Sequence, residues 1–474
     1  MTTPLWTARE AAEATGGVQQ GDWTATGVSI DSRTVAPGDL FVALAGPSFD
    51  GHDFVGAALA KGAVAALVHR RPEGLPETAP LLMVKDSLEG LTALGRAART
   101  RTTSCCFGIT GSVGKTSSKE MLRAALSGAG QTYASTASFN NHWGVPLSLA
   151  RMPLKADYGV FEMGMNHPGE IRALVDLVRP KVALVTQIAP AHLAYFPEGL
   201  DGIAKAKAEI FEGLEHGGTA VINADAPRSA LLREMAETLG AKVVRFGRST
   251  EAEYRLLELS VMGDASLVRV ALPSGDFSFS LGLPGRHMVL NALGVLAAAL
   301  AVGLSPETTA MGLAGLDPMK GRGKRQTIAL PGGGAFILID EGYNANPTSV
   351  GVALELLRTT APRGQGRRLA VLGDMLELGD RSAELHAGLA TAVEAAGCEQ
   401  LFSCGAEMLA LQEALPQQLR TAHRATSAEL APLVVAEIRS GDVVLVKGSL
   451  GTRMAVIVSA LETLEPTKIN RHPA

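Results

Sequence analysis

Aromatic side chains make up only 4% of this 474-residue chain, and its formal net charge is a mere −4. A nucleic-acid surface needs excess positive charge and stacking rings, so no nucleic-acid partner is expected. Cysteine is rarer still. Cys105, Cys106, Cys398 and Cys404 have no paired spacing of the zinc type, and the first two sit in an apolar run. Buried free thiols are expected, and with them a reducing, cytoplasmic location. Long hydrophobic runs are missing too. The longest, ALGVLAAALAVGL at 292–304, falls short of the roughly 20 residues that span a bilayer and reads as a buried helix, so no integral membrane protein is expected. The N-terminal stretch MTTPLWTAREAAEATGG lacks the basic region, apolar core and small-residue cleavage site of a secretory signal.

What is present is length and alternation. A chain of 474 residues has room for about three domains, each with its own core. Short apolar runs (LFVAL, AVAALV) around the helical FVGAALAKG suggest a small mixed α/β domain over 1–102, ending in the basic joint ARTRTTS. CCFGIT, YGVFEMG, KVALVTQI and GTAVINAD alternate with helical stretches, the pattern of a parallel sheet with crossover helices, giving a central nucleotide-binding domain over 103–318. That region also holds a second strand-rich stretch, from AKVVRFG to FSFSLGLPG. After the glycine-rich basic joint LDPMKGRGKR, the runs FILIDE, RLAVLGD, QLFSCG and DVVLVKG predict a doubly wound, Rossmann-like α/β domain over 319–474. PGGG at 331–334 reads as a tight turn before a strand. The fold class is thus α/β in three domains, without internal repeats or low-complexity tracts.

The stretch FGITGSVGKTSSKEM at 107–121 places a glycine loop between a strand and an amphipathic helix. Gly111, Ser112, Val113 and Gly114 present backbone N–H groups to an anion at the positive end of that helix. Lys115 is placed for the terminal phosphates, Thr116 for magnesium, and Ser117 follows them. ATP with Mg²⁺ is the expected cofactor pair. The loop alone leaves kinase, switch, motor and ligase open. Its spelling departs from the standard phosphate loop, which has a glycine where this chain has Ile109.

That shortened Gly-x-x-Gly-Lys-Thr resembles the Mur ligase superfamily, the ATP-dependent amide ligases of peptidoglycan assembly and their folylpolyglutamate synthase relatives. DSRTVAPGDLFVALAGPSFDGHDF (31–54), FNNHWGVPLSL (139–149), FEMGMNHPGEI (161–171), DEGYNANPTS (340–349), LGDMLELG (372–379) and VKGS (446–449) extend the likeness in order along the chain. They resemble the branch that joins D-alanyl-D-alanine to UDP-N-acetylmuramoyl-tripeptide. The branch adding the third amino acid, which writes Asp-Tyr-Ala-His-Thr-Pro where this chain has DEGYNANP, is the alternative. A P-loop ATPase switch is the more distant one. The resemblance implies those two small-molecule substrates as partners, and a monomer is expected.

The chemistry itself sets requirements. Moving the ATP γ-phosphate onto a carboxylate brings negative charge against negative charge, so metal ions and cationic side chains must hold the two together. Glu162 ends an apolar strand at the C-terminal edge of a parallel sheet, the usual ligand crevice. The resemblance makes it a magnesium ligand, joined by His192 at a second ion and by Lys207 if that lysine carries a carbamate. It also implies that Asn291 and Asp340 contact the adenosine and that Arg325 reaches phosphate, with Arg322 competing for that role. Ser32 and Arg33 would contact the uridine diphosphate, and Asn140 and Asn141 the muramoyl group. Tyr343, Asn344 and Asn346 would orient the incoming dipeptide, although Asn and Pro also suit plain turn chemistry. Two departures stand out: Met288 follows His287 where the family commonly writes asparagine, and Leu450 stands where it often has arginine, which here is delayed to Arg453.

Overall fold

The computed structural model describes residues 4–46, 49–136, 138–262 and 265–464. In its central part the apolar runs become Cys105–Thr110, Tyr158–Glu162, Val182–Val185 and Thr219–Asn223, paired in parallel. They read as near-continuous apolar segments because helices cover both faces of the sheet. Thr132–Ala134 adds one edge and Lys242–Gly247 extends the other side. The strand-rich stretch beyond it is no separate sheet. Tyr254–Met262, Ala265–Leu272 and Gly275–Leu281 form an antiparallel meander that continues the same sheet to nine strands. One face of the meander stays wet, so its burial alternates along the chain.

The alanine-rich run belongs to the helix Arg286–Leu300, buried without exposure from Leu293 through Ala299 at its apolar positions. Small side chains bring this helix close to the phosphate-loop helix Lys115–Ser127 and to the sheet. Before it in the chain, a five-stranded sheet orders Val18–Gln20, Leu81–Met83, Ala65–Val68, Asp39–Val42 and Gly27–Ser29, antiparallel only at its first pair. After it, a six-stranded sheet orders Lys324–Ala329, Ala335–Glu341, Val443–Lys447, Arg368–Gly373, Gln400–Cys404 and Arg420–Arg424. Only its first pair is antiparallel, joined through the PGGG turn, where Gly333 and Gly334 take φ of +92° and +81°. Of the four cysteines, three are buried and Cys105 is partly buried, all as free thiols. Among the described residues no helix is long and apolar enough to cross a membrane.

The three parts are not joined alike. The first shares one apolar core with the central part: Trp6, Trp23, Leu40 and Leu94 pack with Leu147 and Ala150. Trp6 Nε1 donates to the Ala150 carbonyl at 2.9 Å, and Arg151 Nε donates to the Val28 carbonyl. Arg99, at the end of the helix Ser87–Thr100, is buried and caps the carbonyls of Val178 and Arg179 at 2.6 and 2.9 Å. Its guanidinium also meets Glu215 at 2.7 Å. The third part keeps its apolar clusters to itself and touches the central part through polar and backbone contacts around a cleft.

Candidate active site

The C-terminal ends of the central and third sheets face each other across an open cavity of about 530 Å³. Ligands of parallel α/β sheets bind at this end because the strands leave their loops and helix N-termini there. On the central side, Gly111 (φ +150°) and Gly114 (φ +90°) turn the loop into the helix that starts at Lys115. Gly114 is further constrained by packing, since a Cβ there would lie 2.6 Å from Asn291 Oδ1. Neighbouring strand ends hold the loop rigid: Ser112 N donates to the Gln187 carbonyl at 2.7 Å, Thr186 Oγ1 to the Val113 carbonyl at 2.6 Å, and Asn223 Nδ2 to the Thr186 carbonyl at 2.9 Å. Lys115 Nζ folds back onto the Gly111 carbonyl at 2.7 Å. Burial lowers its pKa, Glu162 works against that shift, and Arg322 adds to it.

Glu162 is 1% exposed at the end of its strand. Its Oε2 accepts from Thr116 Oγ1 and its Oε1 from Asn140 Nδ2, both at 2.7 Å. A carboxylate and a hydroxyl side by side at a phosphate loop are the hard oxygen donors that suit Mg²⁺, which takes one or two protein oxygens and completes its shell with phosphate and water. Among the described residues no three His, Cys, Asp or Glu gather into a cage.

His192 lines the same cavity in a left-handed conformation, φ +58°. Its Nδ1 lies 2.5 Å from Glu377 Oε2, too misaligned to count as a hydrogen bond. Burial lowers its pKa, Glu377 opposes the shift, and Lys115 and Lys207 reinforce it. Lys207, on the helix Leu200–Ala208, is 2% exposed. Its pKa is held well below the usual lysine range by burial and then by the Lys115 cation. Such a site disfavours an ammonium.

The third domain supplies the opposite wall. Arg322 stacks 4.2 Å over the Tyr343 ring and reaches Ser138 Oγ at 3.4 Å. Asn344 bonds its neighbour's amide, Ala345 N, at 2.9 Å, while Asn346 caps the helix Pro347–Thr359 through a reciprocal pair with Ser349. Both line the cavity, as does Lys447, whose ammonium meets Glu341 at 3.2 Å and the Asn344 carbonyl at 2.9 Å.

Several sequence candidates stand elsewhere. Arg325 lies on the strand Lys324–Ala329, outside the cavity lining that includes Arg322. Asp340 also stays outside the lining, its two oxygens accepting from Gly321 N at 2.7 Å and Gly342 N at 3.1 Å, and burial raises its pKa. Arg33 is exposed and paired with Asp31 at 2.7 Å, and the Ser32 carbonyl accepts from Lys61 Nζ at 2.8 Å. Asn141 differs from its neighbour Asn140: its Oδ1 accepts from Gly144 N at 2.9 Å, at the start of the helix Gly144–Ala150. The residues that sequence reasoning missed are Ser138, Thr186, Gln187, Asn223, Glu341 and Glu377, all in the lining. Thr186, Gln187 and Asn223 lay inside quoted strand runs and Glu341 and Glu377 inside quoted motifs, and neither kind of pattern says which partner a side chain meets once the chain is folded.

Comparison with known proteins fits this layout. Three Mur family models match the chain: "Mur ligase family, catalytic domain" over 24–99, "Mur ligase middle domain" over 109–299 and "Mur ligase, glutamate ligase domain" over 326–450. The Escherichia coli (strain K12) UDP-N-acetylmuramoyl-tripeptide--D-alanyl-D-alanine ligase is 36% identical over 448 residues, 94% of this chain and 96% of that protein. A crystal structure of MurF from Acinetobacter baumannii superposes with a TM-score of 0.84 at 31% identity, covering 98% of this chain and 99% of that one. MurF from Thermotoga maritima, solved in complex with ADP, gives 0.76 at 25% identity over 92% and 97%.

Proposed function

The chain belongs to the Mur ligase family, and from that premise we propose that it joins D-alanyl-D-alanine to the terminal carboxylate of UDP-N-acetylmuramoyl-tripeptide, consuming ATP and releasing ADP and phosphate. The observation that carries this reading is the phosphate loop facing a third-domain wall of Arg322, Tyr343 and Lys447 across one cavity. That arrangement suits two substrates that meet at an activated phosphoryl group.

Charge is the first obstacle, and the residues answer it in place. Lys115 leaves the Gly111 carbonyl for the phosphates, and Arg322 approaches them from the other side. Thr116 and Glu162 would hold Mg²⁺, and His192 and a carbamylated Lys207 would join Glu162 at a second ion. When bound, the metal screens the phosphate oxygens and polarises the γ-phosphoryl group. The tripeptide carboxylate takes that group to give an acyl phosphate, the dipeptide amine attacks the acyl carbon, and phosphate leaves. The residues of both walls keep water from the acyl phosphate, which would otherwise hydrolyse.

In the same reading Asn291, beside Gly114, faces the adenosine together with Asp340, while Arg325 supports the Arg322 side of the phosphates. Ser32 and Arg33 take the uridine diphosphate, and Asn140 and Asn141 the muramoyl sugar. Tyr343, Asn344 and Asn346 orient the dipeptide. The protein works as a cytoplasmic monomer, where ATP and nucleotide-linked precursors are at hand.

The test is mass spectrometry of the purified protein with ATP, Mg²⁺ and D-alanyl-D-alanine against the lysine-containing and the diaminopimelate-containing UDP-tripeptide. UDP-pentapeptide that appears only when the dipeptide is present supports the reading. In a parallel arm with a UDP-dipeptide and free lysine or diaminopimelate, extension by that single diamino acid would replace it with the third-residue ligase.

A further inference from the structure

The mechanism above leaves Glu377 without a role, yet it makes a close charged contact between the central and third domains: its Oε2 lies 2.5 Å from His192 Nδ1. The backbone follows the same line. Ala194 N donates to the Glu377 carbonyl at 3.4 Å, and a Cβ on Gly379 would lie 3.1 Å from Ala194 Cα. Five described non-glycine residues have positive φ, and two of them, His192 at +58° and Glu377 at +64°, face each other here. Left-handed backbone in side-chain-bearing residues is strained and persists where the surroundings overdetermine it, often at working sites.

The chemistry of the pair is directional. A carboxylate held at Nδ1 accepts a hydrogen bond from the N–H there, keeps the proton on that nitrogen and leaves the Nε2 lone pair for a metal ion, the orienting arrangement that fixes ligand histidines in metal sites. We propose that Glu377 is a positioning residue that arrives with the third domain, fixes His192 in the Nδ1–H tautomer and so turns Nε2 toward the metal–phosphate site. Joining of the domains and readiness of the metal site then become one event. This rests on the reading that the cavity binds Mg-ATP. The present contact is close but poorly aligned, as catalytic hydrogen bonds often are before the complex assembles.

The test uses the full chain with a non-hydrolysable ATP analogue and Mn²⁺ as the spectroscopic probe, comparing wild type, Glu377→Gln and Glu377→Ala. Glu377 is 40% exposed at its side chain, so both variants are expected to fold. For Glu377→Ala, Mn²⁺ affinity in the nucleotide complex falls about 10- to 100-fold, the usual effect of losing a ligand-orienting partner, and Glu377→Gln falls between it and wild type. In amide hydrogen exchange, the analogue and Mn²⁺ slow residues 191–197 of wild type, and Glu377→Ala loses that protection while keeping it at 111–117. Unchanged Mn²⁺ affinity or unchanged protection of 191–197 in Glu377→Ala would overturn the role of Glu377 and leave the ligase reading intact. A wild-type protein that binds no nucleotide with Mn²⁺ would overturn both.

Discussion

Two lysines near the cavity are set apart by what surrounds them. Glu162 offsets part of the burial shift on Lys115, whereas on Lys207 the Lys115 cation adds to burial. Replacing Lys115 by alanine removes a preorganised cation from the phosphoryl group, and amine-dependent phosphate release is expected to fall by about 10²-fold or more. Lys207→Met makes a different test, run in CO₂-depleted buffer. The folded-state pKa of Lys207 lies below its ordinary 10.5, so between the two values the unfolded chain binds more protons and wild-type stability rises with pH. The methionine variant should therefore unfold at higher temperature near neutral pH, and its advantage should shrink as pH climbs toward 10.5. A thermal melt series checks the sign. Added bicarbonate enriched in carbon-13 should give wild type a carbamate resonance that the variant lacks.

Among the elements, the helix Pro347–Thr359 carries the clearest local signature, an Asn-Pro start with Ser three residues on. Asn346→Ala removes the side-chain acceptor for Ser349 N, made at 2.8 Å, and should cost about 1 kcal/mol in denaturant unfolding, whereas Asn346→Asp keeps the cap. If Asn346 also orients the dipeptide, the aspartate variant keeps its stability but shows a raised KM for D-alanyl-D-alanine. Elements of this kind were legible in the sequence because their signals are contiguous: the loop 111–114 before its helix, Glu162 at the end of an apolar run, the buried alanine helix. The antiparallel meander read only as the end of a second strand-rich stretch within the central region, because which strand lies beside Lys242–Gly247 depends on pairing that a linear pattern does not encode. The differing surroundings of Asn140 and Asn141 were equally invisible, since neighbours in a loop point to different partners.

For the whole molecule, three domains follow from length and from the two basic joints, but how tightly each pair holds depends on packing between distant segments. Arg99 illustrates this: it lies in the basic joint ARTRTTS, yet it is buried and bonded to Val178, Arg179 and Glu215. Arg99→Ala should lower the stability of the first two domains by about 2 kcal/mol, from the loss of charge-assisted bonds and the carbonyls left unpaired. In calorimetry the transition of the third domain should stay in place. The shared core around Trp6 and Ala150 has a mechanical corollary. The first two parts form one jaw, and the third, joined to it by a stretch without helix or strand between Ala314 and Lys324, is the jaw expected to swing. An inhibitor gripping the first jaw alone would bind at any gape, whereas one reaching from Ser138 to Tyr343 would act as a doorstop.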